Sequence, residues 1–179
     1  EKLKPIPGTE KEYSCDTLIL SVGLIPENDL ALEAGIEMDP HTKGAVVDEH
    51  LQTRIPGIFA AGNVLHVHDL VDCVSLEAEQ LAQSAADYLT EKGIPQCGLE
   101  VRPGQGIGHV IPQFISGKND FNLSLRVRDH YRKCRITIRQ NGCLIAEKKL
   151  PKAIPAEMIQ FKVSAAGIQD QGVLEVTAE

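Results

Sequence analysis

The spacing of apolar residues changes character near the middle of the chain. Before Gly98 they come in short unbroken runs; beyond it they alternate with polar residues. Asp16-Thr17-Leu18-Ile19-Leu20-Ser21-Val22 is a nearly continuous apolar run closing on Gly23. It predicts a strand buried on both faces of a parallel sheet. Asp29–Gly35 predicts one or two helical turns stopped by Gly35. Ala45-Val46-Val47-Asp48 and Ile58-Phe59-Ala60-Ala61 predict two more strands, the second closing on Gly62. Between Ser75 and Glu91, the residues Leu76, Ala78, Leu81, Ala82, Ala85, Ala86 and Leu89 follow the 3.6-residue period of an amphipathic helix. Gly93 and Pro95 stop it.

Thr90–Gly108 interrupts both patterns with five glycines and two prolines, and places a boundary near Gly98. After this linker the period is two. Phe121, Leu123, Leu125 and Val127 form one alternating set, Cys134, Ile136 and Ile138 a second, and Ile159, Phe161 and Val163 a third. Asn141-Gly142 predicts a tight hairpin, because both residues tolerate the positive φ of a type I′ turn. Val173-Leu174-Glu175-Val176 supplies a last strand. The expected architecture is an α/β unit over residues 1–98, then a small all-β antiparallel sandwich over 99–179.

Composition narrows the function classes. With 179 residues, 42% of them hydrophobic and 24% charged, the chain buries a real core, and no run of 18 apolar residues suggests a membrane span. The opening Glu1-Lys2-Leu3-Lys4-Pro5 lacks an initiator Met and the apolar stretch of a secretory signal, so the expectation is a piece of a longer polypeptide. Five widely spaced cysteines, Cys15, Cys73, Cys97, Cys134 and Cys143, predict reduced thiols and a cytoplasmic setting. The net charge of −7 divides into −11 before residue 99 and +4 after it, which suggests two modules and argues against nucleic-acid binding.

Candidate chemistry concentrates in Thr53-Arg54-Ile55-Pro56-Gly57-Ile58-Phe59-Ala60-Ala61-Gly62-Asn63-Val64. A glycine at the end of a buried strand lets backbone N–H groups approach a diphosphate. A short polar side chain after it reaches sugar hydroxyls. The helix beginning around Cys73-Val74-Ser75 offers its positive dipole end nearby. Strand, glycine and asparagine also make an ordinary tight turn. His66, His68 and Asp69 bring two imidazoles and a carboxylate within four residues, but no third ligand is identifiable for a metal, and none is predicted. Cys73 lacks a resolving partner and reads as a small buried hydrophobe. Arg126 with Arg128, and Arg135 with Arg139, flank Arg132 and Lys133. If their strands are neighbours they form a basic stripe, either a solvated face or a docking surface for the acidic module or a partner subunit.

The segments Cys15–Asn28, Gly44–Asp48 and Thr53–Val64 occur in the order and spacing of the two-dinucleotide-domain flavoproteins. The chain thus resembles the pyridine nucleotide-disulfide oxidoreductases, most of all their thioredoxin-reductase-like branch of the type associated with anaerobic glycerol-3-phosphate dehydrogenase. The resemblance covers about residues 13–91. It implies FAD and NAD(P) as cofactors and the C-terminal part of an oxidoreductase that passes a hydride between NAD(P)H and FAD. Gly23 and Pro26 would lie at the crossover into the flavin domain. Gly62, Asn63 and Val64 would meet the FAD pyrophosphate and ribityl chain, and Cys73, Val74 and Ser75 the flavin pyrimidine. Position 63 is Asn where the family usually carries Asp. The family's G-x-G-x-x-G fingerprints are missing, because Gly104-Gln105-Gly106-Ile107-Gly108 leads into a strand. The chain would therefore hold half of a flavin site, with no general acid, base or nucleophile to nominate. A partner oxidoreductase subunit or self-association follows as the expected company. The competing reading is a non-enzymatic binding or subunit-assembly module whose β-sandwich docks a partner.

Overall fold

The computed structural model describes residues 5–21, 23–91 and 93–179; Glu1–Lys4, Val22 and Lys92, which enter the readings above, lie outside the described residues. The alternating half forms eight strands: β1 (Leu99–Pro103), β2 (Ile107–Ile111), β3 (Phe114–Ile115), β4 (Phe121–Val127), β5 (Tyr131–Gln140), β6 (Cys143–Ala153), β7 (Ile159–Val163) and β8 (Leu174–Ala178). One sheet has the order β3-β1-β8-β5-β6 and the other β2-β4-β7. The two share one core, in which Ile107, Ile115, Leu123, Leu125, Ile136, Ile138, Leu174 and Val176 are fully buried. The hairpin at Asn141-Gly142 has the expected positive φ values, +50° and +82°, with Gln140 facing Cys143 across it.

Three expectations are corrected here. The sheets are not wholly antiparallel, because β1 runs parallel to β8 from Val101 opposite Leu174 to Pro103 opposite Val176. β1 itself lies inside the stretch read as linker. Its Leu99 and Val101 are buried, and Gly104 and Gly106 turn the chain tightly against β8 and Tyr131. The basic residues do not form a single stripe, since β4 and β5 belong to different sheets. Arg126 is largely buried and bonds the Val67 carbonyl at 3.0 Å and the Asp69 carboxylate.

Among the described residues the first half holds two α-helices, α1 (Asp29–Glu33) and α2 (Val71–Thr90), and no strand. Among the described residues Ala45–Asp48 and Ile58–Ala61 are extended but joined by isolated bridges, Met38 with Ala45, Val47 with Thr53, Gln52 with Phe59 and Asp48 with Phe114 of β3. Asp16–Ser21 has no regular structure, and Leu18, Ile19 and Leu20 are 70–86% exposed. An apolar run of this kind becomes a strand only when neighbours satisfy its backbone and cover both faces. Among the described residues no strand stands beside it. α2 begins at Val71, ahead of the predicted start around Cys73–Ser75. It turns a different face inward from the one its leucines suggested: Ser84 is buried and Val74, Glu77, Leu81 and Tyr88 are half-buried, whereas Leu76 and Leu89 are exposed. A small core of Ala45, Val47, Leu51, Leu65 and Ile111 packs against Leu81. None of the described helices is long and apolar enough to cross a membrane.

Candidate functional site

Phe59-Ala60-Ala61 arrives extended, and Gly62 turns it. Ala61 has φ −150°, Gly62 has φ +74°, and Gly62–Val64 form one 3₁₀ turn closed by the Leu65 and His66 N–H groups on the Gly62 carbonyl at 2.9 and 3.1 Å. A side chain at position 62 would be strained by that φ, and its Cβ would press on Val74 Cγ1 at 3.4 Å. The turn is thereby seated directly on the first turn of α2. It is fixed from a second side by Asn28, whose Nδ2 donates to the carbonyls of Lys43 at 2.9 Å and Val64 at 2.8 Å. Sequence reasoning gave Asn28 no role beyond ending a motif.

The N–H groups of Asn63 and Val64 lead the turn and, as the first donors of a helical turn, have no partner inside it. The Asn63 carbonyl oxygen accepts the His68 N–H at 3.1 Å, which leaves its Nδ2 as a further donor. The Gly62 N–H is committed, donating to Glu77 Oε2 at 2.5 Å. Gly62 therefore contributes conformation, and its N–H is not free for a cofactor oxygen. Two backbone donors and one amide donor at an exposed turn fit the phosphate or hydroxyl oxygens of a dinucleotide.

The other sequence-derived candidates fall around this turn to different degrees. Val74 touches Gly62; Cys73 is half-buried and Ser75 exposed, its hydroxyl bonded to the Val71 carbonyl at 3.3 Å. Cys73 lines a cleft of about 270 Å³ between α2 and the β half, together with Glu77, Gln80, Ile111, Ser124 and Phe161. Gly23 is exposed with φ +119°, in open space where a side chain would meet nothing within 4 Å, while Pro26 is half-buried. Asn28 ties that loop to the Gly62–Val64 turn.

Behind the turn lies a cluster in which one member was missed. The His66 and His68 side chains are each 1% exposed, and their Nε2 atoms lie 2.8 and 3.1 Å from Glu77 Oε1 and Oε2. Burial alone would raise the Glu77 carboxyl. The hydrogen bonds from both imidazoles and from the Gly62 N–H outweigh it and hold the group down at about 2. The two rings are 4.3 Å apart, and His109 of β2 stands edge-on to His66 at 6.1 Å. Burial, then the neighbouring His66 and Arg126, lowers His109 to about 4. His66 Nδ1, His68 Nδ1 and His109 Nε2 are buried without a partner among the described residues. Glu77 was overlooked because it interrupts the leucine pattern. The available signal was its position four residues before Leu81, which puts both on one helix face.

Residues 1–93 match the pyridine nucleotide-disulphide oxidoreductase family. The chain is 29% identical over 158 residues to dihydrolipoyl dehydrogenase of Bacillus subtilis, a stretch covering 78% of this chain and 33% of that protein. It is 28% identical over 106 residues to a nitrite reductase of the same organism named for NAD(P)H, covering 59% of this chain and 12% of the relative. Over 53 residues it is 42% identical to putidaredoxin reductase of Pseudomonas putida, which covers 30% of this chain and 12% of the relative. The chain thus spans a third or less of the length of each. No solved structure matches it. The family match takes in the whole first half, turn, helix and carboxylate included, and the chain belongs to the pyridine nucleotide-disulphide oxidoreductase family, whose cofactors are FAD and NAD(P)H.

Proposed function

We propose that the whole protein is an FAD-dependent oxidoreductase that passes a hydride between NAD(P)H and FAD, and that this chain supplies one part of its FAD site. The observation that carries the reading is the Gly62–Val64 turn beside α2, with Asn63 and Val64 exposed, inside the residues that match the family. FAD, when bound, supplies the hydride chemistry. The N–H groups of Asn63 and Val64 and the Asn63 amide would hold its phosphate or ribityl oxygens. Val74 and Asn28 would keep the turn in place, and the first turn of α2 at Cys73–Ser75 would favour negative charge on the ring system. Gly23 and Pro26 would form the crossover next to this site. Within the family we assign it to the thioredoxin-reductase-like branch associated with glycerol-3-phosphate dehydrogenase, a reading supported by the order and spacing of Cys15–Asn28, Gly44–Asp48 and Thr53–Val64.

Purified full-length protein should carry a flavin absorbance band that bleaches on addition of NADH or NADPH under anaerobic conditions. A colourless, fully folded preparation that neither takes up FAD nor consumes NAD(P)H would refute the reading.

The partner expected from the sequence has one structural support. On β5 and β6, Arg132 faces Lys152 and Arg135 faces Lys149, so like charges stand opposite one another on adjacent strands. Such pairs are destabilising unless opposite charge answers them, and Glu147 and Glu179 do so in part, at 3.0 Å from Lys149 and 3.5 Å from Arg135. An acidic surface on a partner oxidoreductase subunit or on a second copy would supply the remainder.

A further inference from the structure

We propose that His66, His68 and Glu77 form a binding site for one divalent transition-metal ion, of the class of Zn²⁺, Fe²⁺ or Mn²⁺. The inference is independent of the flavin reading. The His-x-His pair lacked a third ligand in the sequence, and the structure brings one in from the second turn of α2. A donor atom from each of the three side chains lies within 4.8 Å of the others. Two imidazoles and a carboxylate form a borderline donor set, which suits these ions better than the all-oxygen shells of Ca²⁺ and Mg²⁺.

The spacing needs little adjustment. Metal–ligand bonds of about 2.0–2.2 Å in a tetrahedron place neighbouring ligand atoms roughly 3.3 Å apart. Here the Nε2–Oε separations are 2.8 and 3.1 Å. The ligands are also held in place before any ion arrives. The His66 N–H is bonded to the Gly62 carbonyl at 3.1 Å, the His68 N–H to Asn63 Oδ1 at 3.1 Å, and Glu77 is carried by a 20-residue helix.

Hydrogen bonding within the cluster does not account for all of its atoms. Each imidazole places one nitrogen on Glu77 and leaves the other buried and unpartnered, and His109 adds a third stranded nitrogen on the adjoining ring. Buried histidines that serve packing alone would be expected to satisfy both nitrogens. An ion held by the two Nε2 atoms and Glu77 would fix each Nδ1 as the protonated nitrogen, able to donate to water brought in with the ion. Glu77 also lines the cleft between α2 and the β half, which gives the ion a route from solvent. Because the same carboxylate holds the Gly62 N–H, the bound ion would brace the Gly62–Val64 turn.

The test is made on full-length protein dialysed against chelator and confirmed folded by circular dichroism. Zn²⁺ is titrated in by calorimetry, with metal content and melting temperature measured alongside. One equivalent of Zn²⁺ per chain and a rise in melting temperature are expected. His68→Ala and Glu77→Gln should each weaken binding by about 100-fold or more, the scale on which even outer-shell partners of a metal site act. Glu77→Gln keeps a carbonyl for the Gly62 N–H and decides the matter should His68→Ala misfold. Folded wild-type protein that takes up no stoichiometric Zn²⁺, Fe²⁺ or Mn²⁺, or Zn²⁺ binding unchanged in the folded variants, would overturn the proposal. FAD retention, followed in parallel, reports separately on the flavin site.

Discussion

Asn63 does two jobs with one amide. Its oxygen caps the His68 N–H and so shapes the loop that carries both histidines, while its nitrogen stays available at the turn. Asn63→Ala in the full-length protein should therefore weaken FAD retention by on the order of 1–3 kcal/mol, since one bonded partner of the cofactor is stranded. Asn63→Asp keeps the cap but exchanges the Nδ2 donor for an acceptor, so it should retain FAD where the contact is a ribityl hydroxyl and hold it more weakly where the contact is a phosphate oxygen. Equilibrium dialysis of FAD checks both, and unchanged retention in the alanine variant would reduce Asn63 to a turn residue. The cysteines make a second prediction at this scale. Burial first, and then the nearby Asp48 and Glu49 carboxylates, push the Cys97 thiol far above its usual range. Cys134 is raised by burial alone, whereas Cys143 is exposed. The thiolate is the reactive form, and it is absent from Cys97 even in mildly alkaline buffer. Alkylation of native protein followed by mass spectrometry should label Cys143 and leave Cys97 and Cys134 unmodified until denaturant is added. Rapid native labelling of Cys97 would contradict the packing around residues 48–54.

At the level of elements, the sequence was readable where structure is decided locally. The Asn141-Gly142 hairpin depends on two residues and a positive φ, and β4, β5 and β7 each alternate against a shared core, so composition and period suffice. β1 escaped notice because its glycine- and proline-rich surroundings resemble a linker, and its parallel pairing with β8 depends on residues more than 70 positions away. Asp16–Ser21 erred in the opposite direction. Its apolar run records a demand for neighbours on both faces, which nothing among the described residues meets. The site followed the same division. Gly62, Asn63 and Val64 were legible as a motif, but Glu77 and Asn28 act across space, and only the fold brings them to the turn. α2 shows the distinction in one helix: its period was readable, its inward face was not. Leu81 packs on the small core and Leu89 is 78% exposed. In this chain Leu81→Ala should cost on the order of 2 kcal/mol, and Leu89→Ala no more than about 0.5 kcal/mol. Denaturant midpoints would measure both, and equal losses would show that the inward face has been misassigned.

Across the whole molecule, burial is distributed unequally. Every residue of the larger core lies between Leu99 and Ala178, whereas the smaller core has four members before residue 66 and borrows its fifth, Ile111, from β2. The contacts that join the halves are mostly polar. Gln113 accepts the Val47 N–H at 3.0 Å and donates to Asp39 at 3.2 Å; Glu49 accepts from the Ser116 hydroxyl at 2.6 Å and its N–H at 3.0 Å; Arg126 bonds Asp69. Arg54 stacks over Phe114 at 4.3 Å. Even the predicted linker is tied down, its Ile94 and Cys97 carbonyls accepting from Gln52 and Arg54. The β half thus owns its core, and the first half depends on the β half for Ile111 and for partners of its buried Asp39 and Glu49. Expressed separately, residues 98–179 should melt cooperatively, because their apolar core remains intact and the cut exposes mainly polar contacts. Residues 1–97 should show no cooperative transition, since a core of four buried residues with Ile36, Ala60, Ala61 and Leu81 at its edge cannot offset a backbone ordering cost of about 1–2 kcal/mol per residue. Thermal melts followed by circular dichroism decide between the two. A cooperative melt for 1–97, or an unfolded 98–179, would mean that the polar joints contribute more to the fold than the division of apolar surface implies.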